Sequence, residues 1–277
     1  MQGFFIAALW LKLCNKKKDQ MFEFQLSTLN EKVSNQIFFE LKNTIAETNA
    51  VLTSYAENGR NNIVVACDEV EKPRVCFFLT DVISDAISTF FKLEFVENNL
   101  KIPVKNEISF QAFKKALVAF DRETDKYIVS RSLKIGNELN LEAFYNFRLK
   151  QLRTKWLEII QLANDNASYL LCSDTFLDLL KFLIDNIEIS RGTINVVKKG
   201  NEFKLCDESF NEIQPEQCPL ANLEQESGEV GLVTSLIALS PKKINVYCSP
   251  FENNCALTLI SQIFENRVSI LPENAGR

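Results

Sequence analysis

The stretch Ser168-Tyr-Leu-Leu-Cys-Ser-Asp-Thr-Phe-Leu-Asp-Leu-Leu-Lys-Phe-Leu-Ile-Asp-Asn-Ile187 decides how the chain must pack. Its residues are mostly apolar, and the charged exceptions are Asp174, Asp178, Lys181 and Asp185, spaced 4, 3 and 4 residues apart. That spacing predicts a helix with a single polar stripe. A helix that is apolar on its other sides must be covered by neighbouring elements, so we expect it to be central to the fold.

The elements that could cover this helix lie on both sides of it in the chain. A helix is predicted from Leu141, with Phe144, Phe147 and Trp156 on its apolar face. Residues 193–271 alternate short β-branched runs with two apolar helical segments, in the order β-β-α-β-α-β. We expect the last strands of this module to share one sheet.

The N-terminal half also mixes both types of element. Residues 21–26 alternate apolar and polar side chains, which predicts a strand. Asn30 or Ser27 can cap a helix that runs to about residue 57. Turn residues then separate four shorter elements, namely strands at 63–67 and 74–79 and helices at about 80–95 and 109–127.

These elements predict the α+β fold class. Residues 134–140 carry turn chemistry and a helix-capping asparagine, so they mark the clearest internal boundary. We therefore divide the chain into an N-terminal extension outside the core (1–20), an N-terminal α/β region (21–137), a central helical hairpin (138–190) and a C-terminal α/β module with a small mixed sheet (191–277).

Composition excludes several classes of function. The chain has 277 residues, of which 46% are hydrophobic and none is histidine. Without histidine there is no Ser-His-Asp or Cys-His catalytic group and no histidine ligand for zinc. Acidic residues number 36 against 31 basic ones, so the surface as a whole is not suited to hold nucleic acid. Glycine-rich phosphate-binding motifs are also missing from the sequence.

The eight cysteines are interpreted as structural thiols that bind no metal. A zinc site built from Cys206, Cys218, Cys248 and Cys255 would lack the usual two-residue spacing between ligands. Most of the cysteines lie in apolar runs, where cysteine behaves as a small buried hydrophobic residue. This pattern predicts a reducing, cytoplasmic location and no cofactor.

Carboxylates on the apolar helix need cations or water around them. For Asp174, Asp178 and Asp185 we expect a structural ion pair with Arg148 or Arg153 of the preceding helix, rather than a catalytic role. Arg148 suits this task because its planar guanidinium can hold a carboxylate with two hydrogen bonds.

Two other charged groups leave functional alternatives open. Asp121 and Asp125 are four residues apart and could hold a metal or act as acid and base, although this spacing usually marks a solvated helix face. One alternative function is a carboxylate- and metal-dependent hydrolase or nuclease-like enzyme. A basic run could contact the phosphates of a nucleic acid and comprises Arg148, Lys150, Arg153 and Lys155.

The first twenty residues are predicted to lie outside the folded core. Residues 3–14 are apolar, but this run is shorter than the roughly 20 residues of a membrane span and contains Lys12. Its basic flank at 16–18 follows the apolar run, which is the reverse of a secretory signal. The alternative is a weak anchor at a membrane surface.

Five pieces of the sequence, taken in order, resemble one protein family. Phe144-Tyr-Asn-Phe147-Arg148-Leu149 is similar to the F-x-x-F-R-L signature that opens the long helix of the YtxC-like sporulation proteins of endospore-forming bacteria. The other pieces lie at 176–185, 194–205, 236–244 and 263–268. The resemblance covers about residues 140–270 and, more loosely, the chain from Met21. It implies a role in sporulation, without a particular reaction or catalytic residue.

The residues and the resemblance together favour a cytoplasmic, non-enzymatic protein that binds another protein. Nucleic acid is not the expected partner, and neither is a membrane apart from the weak anchor. The candidate structural or interaction residues are Phe144, Phe147, Arg148, Asp174, Asp178 and Asp185.

Overall fold

The predicted α+β class is confirmed by a computed structural model that describes residues 21–102, 106–165, 173–199, 202–213, 228–248 and 254–272. The predicted extension, residues 1–20, lies outside these ranges. The described residues form two compact units, each drawn from two segments of chain: unit 1 from the residues up to Ala86 and from Val129–Lys150, and unit 2 from Ile87–Ile128 and from the residues after Lys150. The four regions predicted from the sequence were consecutive segments, and their boundaries stay a prediction.

The elements of the described residues are named in chain order. Those of the first half are β1 (Met21–Thr28), α1 (Glu31–Thr44), β2 (Val51–Glu57), β3 (Arg60–Asp68), α2 (Lys72–Ala86), α3 (Lys92–Asn99), α4 (Glu107–Ala119), α5 (Arg122–Ser132), β4 (Glu138–Asn140) and α6 (Leu141–Arg148). Those of the second half are α7 (Lys150–Asp165), α8 (Ser173–Asp185), β5 (Arg191–Lys199), β6 (Glu202–Cys206), α9 (Gly228–Leu239), β7 (Pro241–Tyr247), α10 (Cys255–Phe264) and β8 (Val268–Leu271).

The sheet of unit 1 has the strand order β2-β3-β1-β4. β1 pairs antiparallel with β3 along its whole length and parallel with the short strand β4. Phe22, Phe24 and Leu26 of β1 are buried, which confirms the strand predicted from the alternation at 21–26. Since side chains alternate along a strand, Gln25 and Ser27 lie on the opposite, polar face of the sheet.

Helix α1 ends earlier than the sequence predicts. Asn30 caps its start as expected, its Oδ1 accepting a backbone N–H at 3.2 Å. The helix ends at Thr44, however, and residues 51–57 form strand β2 instead of continuing it. Asn58 and Gly59 have φ angles of 51° and 72°, as the two-residue hairpin turn between β2 and β3 requires.

Residues 74–79, predicted to form a strand, belong to helix α2. This helix continues through a π-helical segment, Ile87–Phe91, into α3. Val75 and Leu79 are fully buried, whereas Phe77 is 67% exposed. A strand would place these three side chains on one face, so their burial fits only helical spacing. A short apolar run cannot distinguish the two structures by periodicity alone.

The C-terminal part of unit 2 confirms the predicted order β-β-α-β-α-β. β5 and β6 form an antiparallel hairpin, and β7 pairs parallel with both β5 and β8. The resulting mixed sheet has the order β6-β5-β7-β8, so the last strands share one sheet as predicted.

Helix α9 is deeply buried in unit 2. Leu232, Val233, Leu236 and Ile237 are each at most 4% exposed, and α9 contacts α4 and α10. Helix α8, expected to be central, buries Leu180, Leu183 and Ile184 in the same core but leaves Phe182 56% exposed. The residues 166–172 before α8 lie outside the described ranges.

Two helices predicted to be continuous are broken. The helix expected at 109–127 is divided into α4 and α5 at Asp121, whose φ of 54° lies in the left-handed region. The helix expected from Leu141 through Trp156 is divided into α6 and α7 at Leu149. The apolar patterns at 109–127 and from Leu141 therefore each correspond to two helices instead of one.

Candidate functional site

A cleft of about 610 Å³ opens on the polar face of the unit 1 sheet, and we call it the α6 cleft. Residues of β1, β3 and β4 form its floor, and α6 supplies a wall with two phenyl rings and one guanidinium. Its lining residues are Gln25, Ser27, Arg60, Asn62, Glu138, Leu139, Asn140, Ala143, Phe144, Phe147 and Arg148.

The position of α6 is fixed by its first turn. Asn140, the last residue of β4, also caps α6, because its Oδ1 accepts the N–H of Ala143 at 2.9 Å. This confirms the capping role predicted for Asn140. The helix therefore starts directly at the edge of the sheet without an intervening loop, so its side chains stand beside the floor.

An ion pair ties α6 to the sheet. Glu142 Oε2 accepts a hydrogen bond from Arg60 at 2.5 Å, and its Oε1 accepts from the Thr28 hydroxyl at 2.6 Å and the Leu29 N–H at 2.7 Å. Burial alone would raise the pKa of Glu142, but these hydrogen bonds hold the pKa below its ordinary value. The charge of Arg60 is thereby balanced within the site.

The signature residues on α6 divide between core and surface. Phe144 is only 7% exposed and anchors the helix, whereas Phe147 is 82% exposed. Arg148 is also exposed, and its guanidinium makes no hydrogen bond or ion pair with a described residue of unit 1. An exposed phenyl ring and a guanidinium without a described partner in unit 1 thus line the same cleft.

Amide and hydroxyl groups cover the floor of the cleft. Gln25 donates to Asn62 Oδ1 at 3.1 Å, and the Asn62 amide donates to the Arg60 carbonyl at 3.3 Å. Within the described residues, the Ser27 hydroxyl and the Asn140 NH₂ group have no hydrogen-bond partner. The floor therefore offers both donors and acceptors to a ligand.

The three aspartates of α8 lie on its exposed face, as the predicted polar stripe requires. Asp185 accepts a hydrogen bond from Arg267 at 3.2 Å, and the neighbouring Lys181 pairs with Glu265 at 2.6 Å. The partner of Asp185 is thus Arg267. Since Arg148 belongs to unit 1 and Asp174 and Asp178 belong to unit 2, the predicted clamp between them stays a prediction.

Sequence reasoning missed a buried charge cluster in unit 2, centred on Asp125. This carboxylate is 0% exposed and accepts hydrogen bonds from Lys92 at 2.7 Å, Lys155 at 2.7 Å and the Trp156 indole at 2.8 Å. Lys155 also pairs with Asp121. The expectation that Asp121 and Asp125 lie on a solvated helix face is therefore wrong for Asp125. The sequence signal for this cluster was Lys92, a charged residue within the largely apolar stretch 90–96.

Burial and pairing shift the pKa values of this cluster in opposite directions. Burial lowers the pKa of Lys92, with Asp125 opposing the shift. Burial alone would lower the pKa of Lys155, yet its hydrogen bonds to Asp121 and Asp125 raise it. Burial alone would raise the pKa of Asp121, but its hydrogen bonds with Lys155 and Thr124 lower the pKa instead. Because Lys155 is engaged here, the basic run at 148–155 does not present all its cations to a phosphate.

The cysteines that the structure describes are free thiols. Burial raises the pKa of Cys67 to about 11, since the thiolate would lose its hydration. The expected thiols Cys14, Cys172 and Cys218 lie outside the described residues. Within those residues, no three Cys, Asp or Glu side chains are grouped so as to hold a metal ion, and none of the helices is long and apolar enough to cross a membrane.

The family model described as the YtxC-like family matches residues 82–269, and this span includes Phe144, Phe147 and Arg148. No curated protein and no solved structure matches the chain.

Proposed function

The chain belongs to the YtxC-like family, and from this we propose that it is a cytoplasmic protein of sporulation that acts by binding another protein. Membership of a family associated with sporulation supports the first part of the proposal. The free thiols of the described cysteines support a reducing compartment. The binding role is supported by the α6 cleft.

The observation that carries the binding role is the exposure of two signature residues in one cleft. Phe147 is 82% exposed, and Arg148 beside it has no partner among the described residues of unit 1. Within unit 1, neither side chain fills a buried position or makes a polar contact with a described residue. Aromatic residues and arginine are also the side chains that most often dominate the free energy of protein–protein binding.

Spore formation by a strain that carries Phe147→Ala together with Arg148→Ala tests the proposal. The matched control strain carries Phe77→Ala together with Lys42→Ala, which remove an exposed phenyl ring and an exposed cation of unit 1 outside the cleft. We expect the cleft strain to form spores only at the level of a deletion strain and the control strain to sporulate normally.

The melting temperature of each purified variant must accompany this measurement. Exposed side chains contribute little to folding, so we expect every variant to melt within about 2 °C of the original protein. Normal spore formation by the cleft strain would contradict the binding role of the cleft. A large drop in melting temperature would instead assign Phe147 or Arg148 to the folded core.

A further inference from the structure

We propose, on the basis of the binding role above, that the α6 cleft holds an extended segment of the partner protein in which a carboxylate side chain neighbours a large apolar side chain. The carboxylate would pair with Arg148, and the apolar side chain would cover Phe147. The backbone of the segment would lie on the amide-rich floor.

Charge selects an acidic segment. Arg60 is balanced by Glu142 at 2.5 Å, which leaves Arg148 as the one unbalanced cation among the lining residues. A planar guanidinium binds a carboxylate with two parallel hydrogen bonds. The proposal therefore places the carboxylate at the C-terminal end of α6.

Glu138 gives the cleft a direction. This residue begins β4, and Arg148 ends the helix that follows, so the acidic and basic lining groups come from opposite ends of one β-α segment. α6 has eight residues, which is roughly 12 Å of helix. Glu138 would repel a second carboxylate, so the segment should carry a neutral or basic side chain at that end.

The floor favours a peptide over a simple anion. Gln25, Ser27, Asn62 and Asn140 project from three adjacent strands, and neighbouring strands are about 4.8 Å apart. The Asn140 NH₂ and the Ser27 hydroxyl can donate, while the Gln25 carbonyl can accept. A phosphate or a free carboxylate needs donors alone. A peptide backbone presents both N–H and C=O groups and can use the whole floor.

Apolar burial supplies the second part of the recognition. Phe147 is exposed and lines the cleft together with Arg148, while Phe144 is already buried. An aromatic or large aliphatic side chain on the bound segment would remove the Phe147 ring from water. Since Phe147 and Arg148 are adjacent in sequence, the carboxylate and the apolar group should also be adjacent, or nearly so, in the segment.

Selection of a displayed library of random heptapeptides on the full chain provides the probe. We expect the enriched peptides to contain Asp or Glu beside an aromatic or large aliphatic residue, with no acid toward the other end. The best peptide is then labelled with a dye, and its dissociation constant is measured by fluorescence anisotropy. Enrichment of neutral or basic peptides, or no enrichment, would overturn the proposal.

A double-mutant cycle on this peptide tests the assigned contact. Changing its carboxylate to an amide should weaken binding to the original protein by about tenfold or more, as for loss of a charge-assisted hydrogen bond. The same change should have little effect on binding to Arg148→Ala, and Arg148→Lys should retain part of the discrimination. Phe147→Ala should weaken binding, whereas Phe77→Ala should not. Equal effects of the amide on the original protein and on Arg148→Ala would overturn the pairing.

The two proposals fail in different ways. If spore formation depends on the cleft but the selected peptides are neutral or basic, the binding role stands and the acidic segment is wrong. If acidic peptides bind as described but Arg148→Ala cells sporulate normally, the specificity of the cleft stands and its role in sporulation is wrong. A labelled single-stranded oligonucleotide that displaces the peptide would identify the cleft as a nucleic-acid site and overturn the proposal.

Discussion

Asp125→Ala should destabilise unit 2 strongly, because it removes the carboxylate at the centre of the buried charge cluster. Asp125 is 0% exposed and Lys92 is 4% exposed. After the substitution, the Lys92 ammonium keeps the Phe120 carbonyl at 2.6 Å and the Trp156 ring, whose centroid lies 5.8 Å away. It would then be a buried cation with no anion in contact.

The contacts of Asp125 set the size of the effect. The substitution removes hydrogen bonds of 2.7 Å to Lys92, 2.7 Å to Lys155 and 2.8 Å to Trp156. Lys155 is 30% exposed, so water can replace its lost contact. Lys92 has no such access, and breaking one side of a buried ion pair typically costs about 3–5 kcal/mol of unfolding free energy. We expect a loss in that range.

Urea unfolding followed by tryptophan fluorescence measures this loss, because Trp156 donates directly to Asp125. Trp10 is the other tryptophan, and a Trp10→Phe background removes its signal. The transition that Trp156 reports gives the stability of unit 2 even where the two units unfold separately. Asp125→Asn keeps the side-chain volume and removes the charge, so it separates the electrostatic loss from the loss of packing.

Asp185→Ala is the matched control. Asp185 also pairs with a cation, Arg267, but its side chain is 68% exposed, and exposed pairs contribute no more than about 1 kcal/mol. If Asp125→Ala were no more costly than Asp185→Ala, the cluster would not be an essential buried pair. If Asp125→Asn were as stable as the original protein, the charge of Asp125 would be irrelevant to folding.

Three further predictions concern local structure. Glu142 contributes stability that is present above its pKa of 4.5 in the unfolded chain and is lost as the pH falls through its lower pKa in the folded state. Glu142→Gln should therefore flatten the pH dependence of the melting temperature below about pH 5. An unchanged pH profile would contradict the hydrogen bonds assigned to Glu142. A Cβ added by Gly59→Ala would meet no atom within 4 Å, but the alanine must adopt a φ of 72°. The substitution should therefore lower the free energy of unfolding in urea by roughly 1–2 kcal/mol. An unchanged free energy of unfolding would mean that the hairpin turn has a different conformation. Asn30→Ala removes the α1 cap and should cost about 1 kcal/mol, whereas Asn43→Ala, at an exposed position late in the same helix, should cost clearly less.

Local patterns were enough to predict much of the fold. The alternation at 21–26, the asparagine caps and the order of the C-terminal strands and helices each depend on residues close in sequence, and all are confirmed. The failures occurred where local signals are ambiguous. Residues 74–79 form a short apolar run that fits a strand or a helix, and only the burial of Val75 and Leu79 beside the exposed Phe77 decides between them.

The charge cluster could not be predicted because its members come from distant parts of the chain. Lys92 and Lys155 are 33 and 30 residues from Asp125, and the left-handed Asp121 that divides α4 from α5 gives no clear sequence signal. For the cleft, sequence identified Phe144, Phe147 and Arg148 together. It could not show that Phe147 is exposed, because helical spacing does not indicate which faces of a helix are covered. It also could not show that the floor is rich in amides, because strand pairing between β1, β3 and β4 brings those side chains together.

The central claim is that Phe147 and Arg148 form a binding surface. Photo-crosslinking from position 147 tests this claim most directly. Benzoylphenylalanine replaces Phe147 in one strain and Phe77 in a matched strain, and cells are irradiated as an endospore-forming host enters sporulation. We expect one partner protein to be linked at position 147 and not at position 77, and this product to disappear when Arg148→Ala is added. Identical products at both positions, or a product at 147 that Arg148→Ala leaves unchanged, would contradict the account.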